Sequence, residues 1–489
     1  MRSFLQVTAL LVIVLVIVLV TVLFVNTFRL TSHQLTNVPP AAPIVVPDSA
    51  IQRLARAIQI PTVSFTEYTL TDTTQFDKFL SYIQTAYPLI HQRLKRETFT
   101  QYSLLYEWKG RNPALKPVML MAHYDVVPVI QGTQGMWKRP PFAGIMEGGY
   151  LYGRGTLDDK MGMMGLLESV EYLLRSNFQP ERTLLLAFGQ DEETSGHGAQ
   201  AIAAALKQRG VSLEYILDEG GVIKTDGVSG IKKPVALIGI SEKGYLSLEL
   251  TAVGKGGHSS MPPEQTSIGM VAEAVSKLEH HPFPARLDGG INHMLSYLAS
   301  EVPFGQRLIL ANQWLFSPLI EHQLAQTKSS NASIRTTTAP TIFKAGAKDN
   351  VLPIDAVATV NFRLLPGDTV DGVVERVKEV IENDSITVSI LGKGNDPVAL
   401  ADPDSPVFQK IHQTIKSVFP NVVVAPYVML GATDSKFYAG LTTATYRFSP
   451  IPLNDTETQG IHGTNERINI KDYLTSIRFY VALIRNSQK

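Results

Sequence analysis

Three uninterrupted apolar runs, each ending in acids or a histidine, constrain this chain more than any other feature. Val118-Met-Leu-Met-Ala122 leads into His123 and Asp125, Thr183-Leu-Leu-Leu-Ala-Phe188 into Asp191-Glu192-Glu193, and Tyr215-Ile-Leu217 into Asp218-Glu219. Runs without polar alternation suit strands buried on both faces, as in a parallel sheet covered by helices. Ligands of such sheets gather beyond the carboxyl ends of the strands. Three separate strands therefore deliver acids to one place. Helix-like segments at Met161–Arg175 and Ala199–Gln208 lie between them, giving the strand–helix–strand order of an α/β fold.

The patterning changes near residue 244. Tyr245–Val253 alternates apolar and polar residues, a strand with one wet face. A helix at Ser267–Leu278 follows, then an alternating strand at Ala356–Leu364, a helix at Val370–Glu382 and a strand at Ser385–Leu391. This block reads as a small α+β domain inserted into the larger one. Residues 289–338 show no clear period and are left as an insertion without assigned structure. From about Asp402 the chain returns to α/β character, with helices at Val407–Val418 and Lys471–Asn486. The expected organisation is a catalytic domain in two parts, 48–243 and 399–489, interrupted by an inserted domain at 244–398.

The N-terminus bears on location. No charged residue occurs from Phe4 to Phe28, and about 20 apolar residues cross a bilayer as a helix. A cleaved signal peptide has a shorter apolar region and a small-x-small cleavage site, neither of which is present at 22–28. Residues 1–30 therefore read as an uncleaved signal anchor and transmembrane helix, with a secreted, cleaved form as the alternative. Arg2 and the α-amine favour a cytoplasmic N-terminus and a lumenal or extracytoplasmic catalytic body. Residues 31–47, with four prolines, read as a stalk.

Lys+Arg 44 balance Asp+Glu 44 in a chain of 489 residues. With no clustered basic excess, a nucleic-acid partner is not expected. The absence of cysteine excludes thiolate nucleophiles, disulfides and cysteine-based zinc sites. A catalytic zinc here has to use histidine and carboxylate.

The short motifs supply that set, although each has an ordinary structural reading. His123-x-Asp125 places two side chains on one face of an extended segment, where the acid can orient a metal-binding ring or simply hydrogen-bond it. Asp158-Asp159 follows the tight Gly153-Arg-Gly155 turn and is either helix capping or a metal bridge. The consecutive acids at 191–193 repel one another, a cost that cations relieve; one can ligate while its neighbour serves as base. Asp218-Glu219-Gly220 and His462-Gly463 complete the set. His258 lies on a Gly/Pro-bounded loop where a histidine is usually a surface residue.

In this order, the stretches MAHYDVVP, YGRGTLDDK, DEETSG, LDEGG, GKGGHSSMPP, NVLP, NFR and HGTNE resemble the dizinc aminoacylase/carboxypeptidase metallopeptidase family. The phrases ISEKGY, IRTTTAPTIFKAG and TATYRFSPI resemble its N-fatty-acyl-amino acid synthase/hydrolase and vacuolar carboxypeptidase S branch. The resemblance spans about residues 50 to 485. It implies a zinc-peptidase-like α/β catalytic domain with a mixed, mostly parallel sheet and a ferredoxin-like α+β lid that also makes a homodimer. It implies two Zn²⁺ per subunit: His123, Asp158 and Asp218 on one, Asp158, Glu193 and His462 on the other. It makes Asp125 the orienter of His123 and Glu192 the general acid/base. His258 and Asn350 would stabilise the oxyanion, His258 reaching a partner subunit's site. Arg363 would grip a substrate carboxylate, and Gly431 would belong to a substrate-binding loop. The implied function is hydrolysis, possible in reverse as synthesis, of the amide bond in N-acyl amino acids or short peptides. A carboxypeptidase S-like peptidase is the alternative, and a silent member acting as a scaffold is the reading outside enzymes.

Overall fold

Alternate residues of the central strands feed two different cores, and this fixes the layers of the molecule. In the computed structural model, which describes residues 2–228 and 230–488, the strands Val118–His123 and Leu184–Gly189 are buried at every position. Leu120, Ala122, Leu184, Leu186 and Phe188 face the larger core, beneath the helices Lys160–Arg175 and Ile470–Asn486. Met119, Met121, Leu185 and Ala187 face the smaller core, under the helix His197–Gln208. Met1, Ser229, Lys489 and the side chains of Arg2 and Ser3 lie outside the described residues, and so does the Arg2 charge on which the expected topology rests.

The main sheet runs, in spatial order, Lys95–Phe99, Ser103–Trp108, Leu184–Gly189, Val118–His123, Tyr215–Lys224, Thr445–Leu453, Val235–Glu242 and Val423–Met429. The four strands from Leu184–Gly189 to Thr445–Leu453 are parallel. The first two are antiparallel additions at one edge. The sheet is mixed and mostly parallel at its centre, as the apolar runs require.

A second sheet, entirely antiparallel, has the order Thr337–Ala345, Asp355–Leu364, Gly244–Val253, Ile386–Ile390. Leu246, Leu248, Leu250, Val360 and Phe362 pack with Val271, Val373 and Val377 from the helices Ser267–His280 and Val370–Ile381 into a core of their own. Strand order and helix placement are those of a ferredoxin-like unit.

Two segments differ from their sequence reading. Residues 289–338 are helical for most of their length: Gly289–Ala299, Phe304–Ala311, Gln313–Leu324 and Lys328–Ser333. The stalk is not a free linker. The Gln34 side chain donates to Val424 O and accepts from Val424 N, both at 2.8 Å, along an edge strand of the main sheet. His33 stacks on Tyr297 at 4.4 Å, and Ala41 N donates to Ser417 O. The body holds it.

Leu186 is fully buried at the centre of the main sheet. Leu186→Ala is expected to cost about 2–5 kcal/mol by lost transfer and cavity formation, read as a lowered denaturant midpoint at unchanged slope.

Candidate metal centre

At the carboxyl end of the sheet the buried Asp125 carboxylate ties three segments together. Its Oδ1 lies 3.3 Å from His123 Nδ1 and accepts from Glu192 N at 3.2 Å. Its Oδ2 accepts from Ser64 Oγ at 2.6 Å and from Glu193 N at 3.2 Å. With Nδ1–H turned toward Asp125, the His123 ring presents the Nε2 lone pair to the open side, the tautomer a metal requires.

Asp158 stands between the two histidines. Its Oδ1 is 2.8 Å from His123 Nε2 and its Oδ2 3.1 Å from His462 Nε2, one carboxylate oxygen for each ring. The turn that presents it is held by Glu466, which accepts from Leu157 N at 2.7 Å and Gly155 N at 3.0 Å. Arg154 Nη1 pairs with the same buried carboxylate at 2.7 Å. Asp159 caps the following helix by accepting from Gly162 N. Glu193 completes this half, with Oε2 3.0 Å from His462 Nε2.

A further acid beside the cage is Glu219, the neighbour in sequence of the expected ligand Asp218. Glu219 Oε1 lies 3.2 Å from His123 Nε2. Asp218 instead accepts from Ser435 N at 3.0 Å and from Glu219 N at 3.0 Å. The cause is a bulge. Asp218 pairs with Arg447 and Gly221 with Phe448, so Glu219 and Gly220 are extra residues on one strand. A bulge re-aims side chains that simple alternation would send elsewhere. Gly220 has φ +134°, and a Cβ there would meet Met429 Sδ at 2.7 Å.

The donor atoms gather tightly. His123, Asp158 and Glu193 offer ligand atoms within 4.8 Å of one another, as do His123, Glu192 and Glu219. With only protein groups for compensation, crowded buried carboxylates hold protons. Burial and the neighbouring Asp158 and Asp218 push Glu219 up to about 8. Burial and Glu219 likewise raise Glu192. Hydrogen bonds to Asp158 and Glu193 push His462 up to about 10. His123 is raised although burial opposes it, because Glu219, Asp125 and Asp158 outweigh that cost. Oxygen and imidazole donors with surplus negative charge fit divalent cations of the zinc type.

The remaining expected site residues sit apart from the cage. His258 and Asn350 are exposed neighbours on the short ribbon of Gly257–His258 and Val351–Leu352, where Ser259 N donates to Asn350 O at 3.3 Å. Arg363 lies on the second sheet opposite Tyr245, its guanidinium 4.8 Å from that ring. It stands at the seam between the sheets, beside the buried Lys243, whose amine burial and Arg363 push down to about 7. Gly431 opens a loop that touches the cage indirectly. Met429 Cε packs 3.4 Å from its Cβ position, and Ser435 ends the loop on Asp218.

Sequence reasoning included Glu219 in the candidate set without assigning it a role, and missed Ser64 and Glu466 as supports of the centre. The Gly220-Gly221 pair was the available signal for the bulge, since glycine inside a strand often marks one. Ser64 gave no signal.

A sheet with a histidine–carboxylate cage at its carboxyl end defines the class, and sequence comparison agrees. Residues 119–486 match the model of peptidase family M20/M25/M40. The chain belongs to this family and is a metal-dependent amide hydrolase. It is 44% identical over 441 residues to the human N-fatty-acyl-amino acid synthase/hydrolase PM20D1, covering 89% of this chain and 87% of that protein. It is 39% identical to probable carboxypeptidase S-like 2 of Dictyostelium discoideum, covering 96% and 92%. Identity to carboxypeptidase S of Saccharomyces cerevisiae is 31%, covering 90% and 84%. The fold is similar to the M20 metallo-carboxypeptidase Sso-CP2 from Sulfolobus solfataricus, with a TM-score of 0.64, 19% identity, and coverage of 90% of this chain and 99% of that one.

Metal ligands bind deprotonated, so zinc added to chelator-stripped protein near pH 7 is expected to release protons from the cage, where His123, His462 and Glu219 are all raised. Calorimetry in buffers of different ionisation enthalpy reads that release directly. Affinity should fall as pH drops from about 8 to 6, and an affinity flat over that range contradicts the reading.

Proposed function

We propose that the chain hydrolyses the amide bond of N-acyl amino acids bearing a free carboxylate, with two zinc ions per subunit. One ion would be held by His123, Asp158 and Asp218, with Glu219 beside them 3.2 Å from His123 Nε2, and the other by Asp158, Glu193 and His462. The observation that carries this reading is Asp158, with one oxygen toward each histidine. Bound zinc would supply Lewis acidity, activating water and polarising the amide carbonyl.

Glu192 is the proton carrier. It lies beside His123 and Glu219 within ligand distance, and its backbone is pinned by Asp125. A carboxylate whose pKa is raised by burial takes a proton from the attacking water and returns it to the leaving nitrogen. Arg363 recognises the substrate carboxylate, a task suited to the planar guanidinium fork. His258 and Asn350, exposed on the short ribbon, would serve the oxyanion in a partner's site, with the second sheet acting as lid and dimer contact.

The acyl reading is favoured over a purely peptidic one by the aromatic wall of a cavity of about 500 Å³ beside the 190–197 turn, whose other wall is polar, with Gln190, Asp191 and His197. Phe65, Tyr68, Phe76 and Tyr102 line it. The relatives' names carry both synthesis and hydrolysis, and both carboxypeptidase and acyl-amino-acid chemistry. In water, hydrolysis dominates. A silent scaffold is disfavoured because every metal-ligand and base position is filled. The helix Arg2–Arg29 would anchor the body on the extracytoplasmic or lumenal face.

Incubating the zinc-loaded full chain in detergent with a panel of N-acyl amino acids and dipeptides tests the proposal. Release of free amino acid from the N-acyl series supports it, and release only from dipeptides moves the chain to the carboxypeptidase reading. Glu192→Ala should keep its zinc by metal analysis while losing about 10²–10⁴-fold in turnover. Arg363→Ala should raise KM for carboxylate-bearing substrates; unchanged KM and kcat exclude that role.

A further inference from the structure

The helices Phe304–Ala311 and Gln313–Leu324 present an apolar face to the outside. Phe304, Trp314, Leu315 and Leu319 are exposed, Trp314 to 61%. Trp314, Leu315, Pro318 and Leu319 recur at helical spacing on one outward face, where a water-facing helix would carry polar residues. From 302 to 320 the only charged residue is Arg307. Exposed apolar patches of this kind mark an interaction surface.

What covers it is indicated by its neighbour. Every side chain of the N-terminal helix from Phe4 to Val22 is exposed, and the end of that helix is fastened to this pair of helices. Phe24 and Phe28 meet the Phe304 ring at 5.9 and 6.0 Å. Asn26 Nδ2 donates to Asn312 Oδ1 at 2.8 Å, and Asn312 Nδ2 donates to Leu23 O at 3.1 Å. Thr27 is buried in the contact. Twenty residues from Phe4 fill a hydrocarbon core of about 30 Å, which places Leu23–Phe28, and Phe304 with them, where the helix leaves it. Tryptophan is favoured at that boundary.

Behind the face lies an apolar cavity of about 480 Å³ between the helices Gly289–Ala299, Phe304–Ala311 and Gln313–Leu324. Its lining includes Met294, Leu298, Val302 and Leu310, and also the exposed Leu319, so it opens on that face. The volume falls in the range of small-molecule sites, about 300–1,000 Å³.

We infer that the outward face of 304–324 seats in the phospholipid bilayer beside the anchor helix, and that the cavity behind it admits an acyl chain from that bilayer. The inference rests on the anchor reading above. The segment after the anchor agrees with it: Ser32 donates to Glu301 at 2.9 Å and His33 stacks on Tyr297, so the body is held close to where the helix ends. The same helix, Gly289–Ala299, links the cavity to the catalytic side. A Cβ on Gly290 would clash with Val428, which precedes the Met429 that touches Gly220 and Gly431.

The test uses the full chain reconstituted in phosphatidylcholine vesicles whose acyl chains carry bromine near the headgroup. Of the three tryptophans, Trp108 and Trp137 are buried in the body. Bromine should remove most of the Trp314 emission, and Trp314→Phe should leave a spectrum indifferent to bromine. Protein extracted from the vesicles by alkaline carbonate overturns the anchor reading and this inference with it. Protein that resists extraction, with Trp314 unquenched, overturns the inference alone; a second copy covering the face would give this result. A phospholipid with a diazirine at the acyl terminus should label Met294 or Leu298 inside the cavity. Labelling confined to the anchor helix and to Phe304 and Trp314 excludes acyl entry.

Discussion

The centre depends on one buried carboxylate that is not among its proposed ligands. Asp125 orients His123 through Nδ1, and its two oxygens hold the backbone amides of Glu192 and Glu193 while Ser64 donates to the same oxygen as Glu193. One group thus sets the tautomer of a ligand, the position of the proton carrier and the position of a second ligand. Removing it would free three elements at once, and a displacement of about 1 Å at a reacting centre is costly in rate. Glu466 plays the corresponding part for Asp158, and Asp218 for the Gly431–Ser435 loop. Each acid at the reacting face is backed by a buried acid that spends its hydrogen bonds on backbone amides.

Much of this was legible in the sequence because burial leaves a plain record. The central strands begin within a residue of the apolar runs that announce them, and the alternating segments after residue 244 do form the second sheet. His123, Asp158, Glu193 and His462 converge as their motifs imply. Asp218 and Glu219 were not separable by pattern. The bulge that carries Glu219 toward His123 depends on how Arg447 and Phe448 pair across the sheet, a contact more than two hundred residues distant in the chain. Residues 289–338 escaped for another reason. Helix recognition relies on a contrast between an apolar inner face and a polar outer one, and in Gln313–Leu324 the outer face carries Trp314, Leu315, Pro318 and Leu319.

The two sheets divide the work of the proposed reaction. The main sheet provides a rigid floor for the metals, with strands buried on both faces and little freedom to shift. The second sheet has its own core and carries Arg363, His258 and Asn350, groups that would recognise substrate rather than hold metal. Lys243 spans the seam, donating to the carbonyls of Ala332 and Arg335 at 2.9 and 2.8 Å. In the proposed reaction, chemistry and selection would sit on separate cores.

The most direct test of this arrangement is anomalous scattering at the zinc edge from crystals of the zinc-loaded protein. Two peaks are expected, one flanked by His123 and the Asp218–Glu219 pair, the other by Glu193 and His462, with Asp158 between them. A single peak, or two peaks of which neither lies against Asp158, would contradict the account.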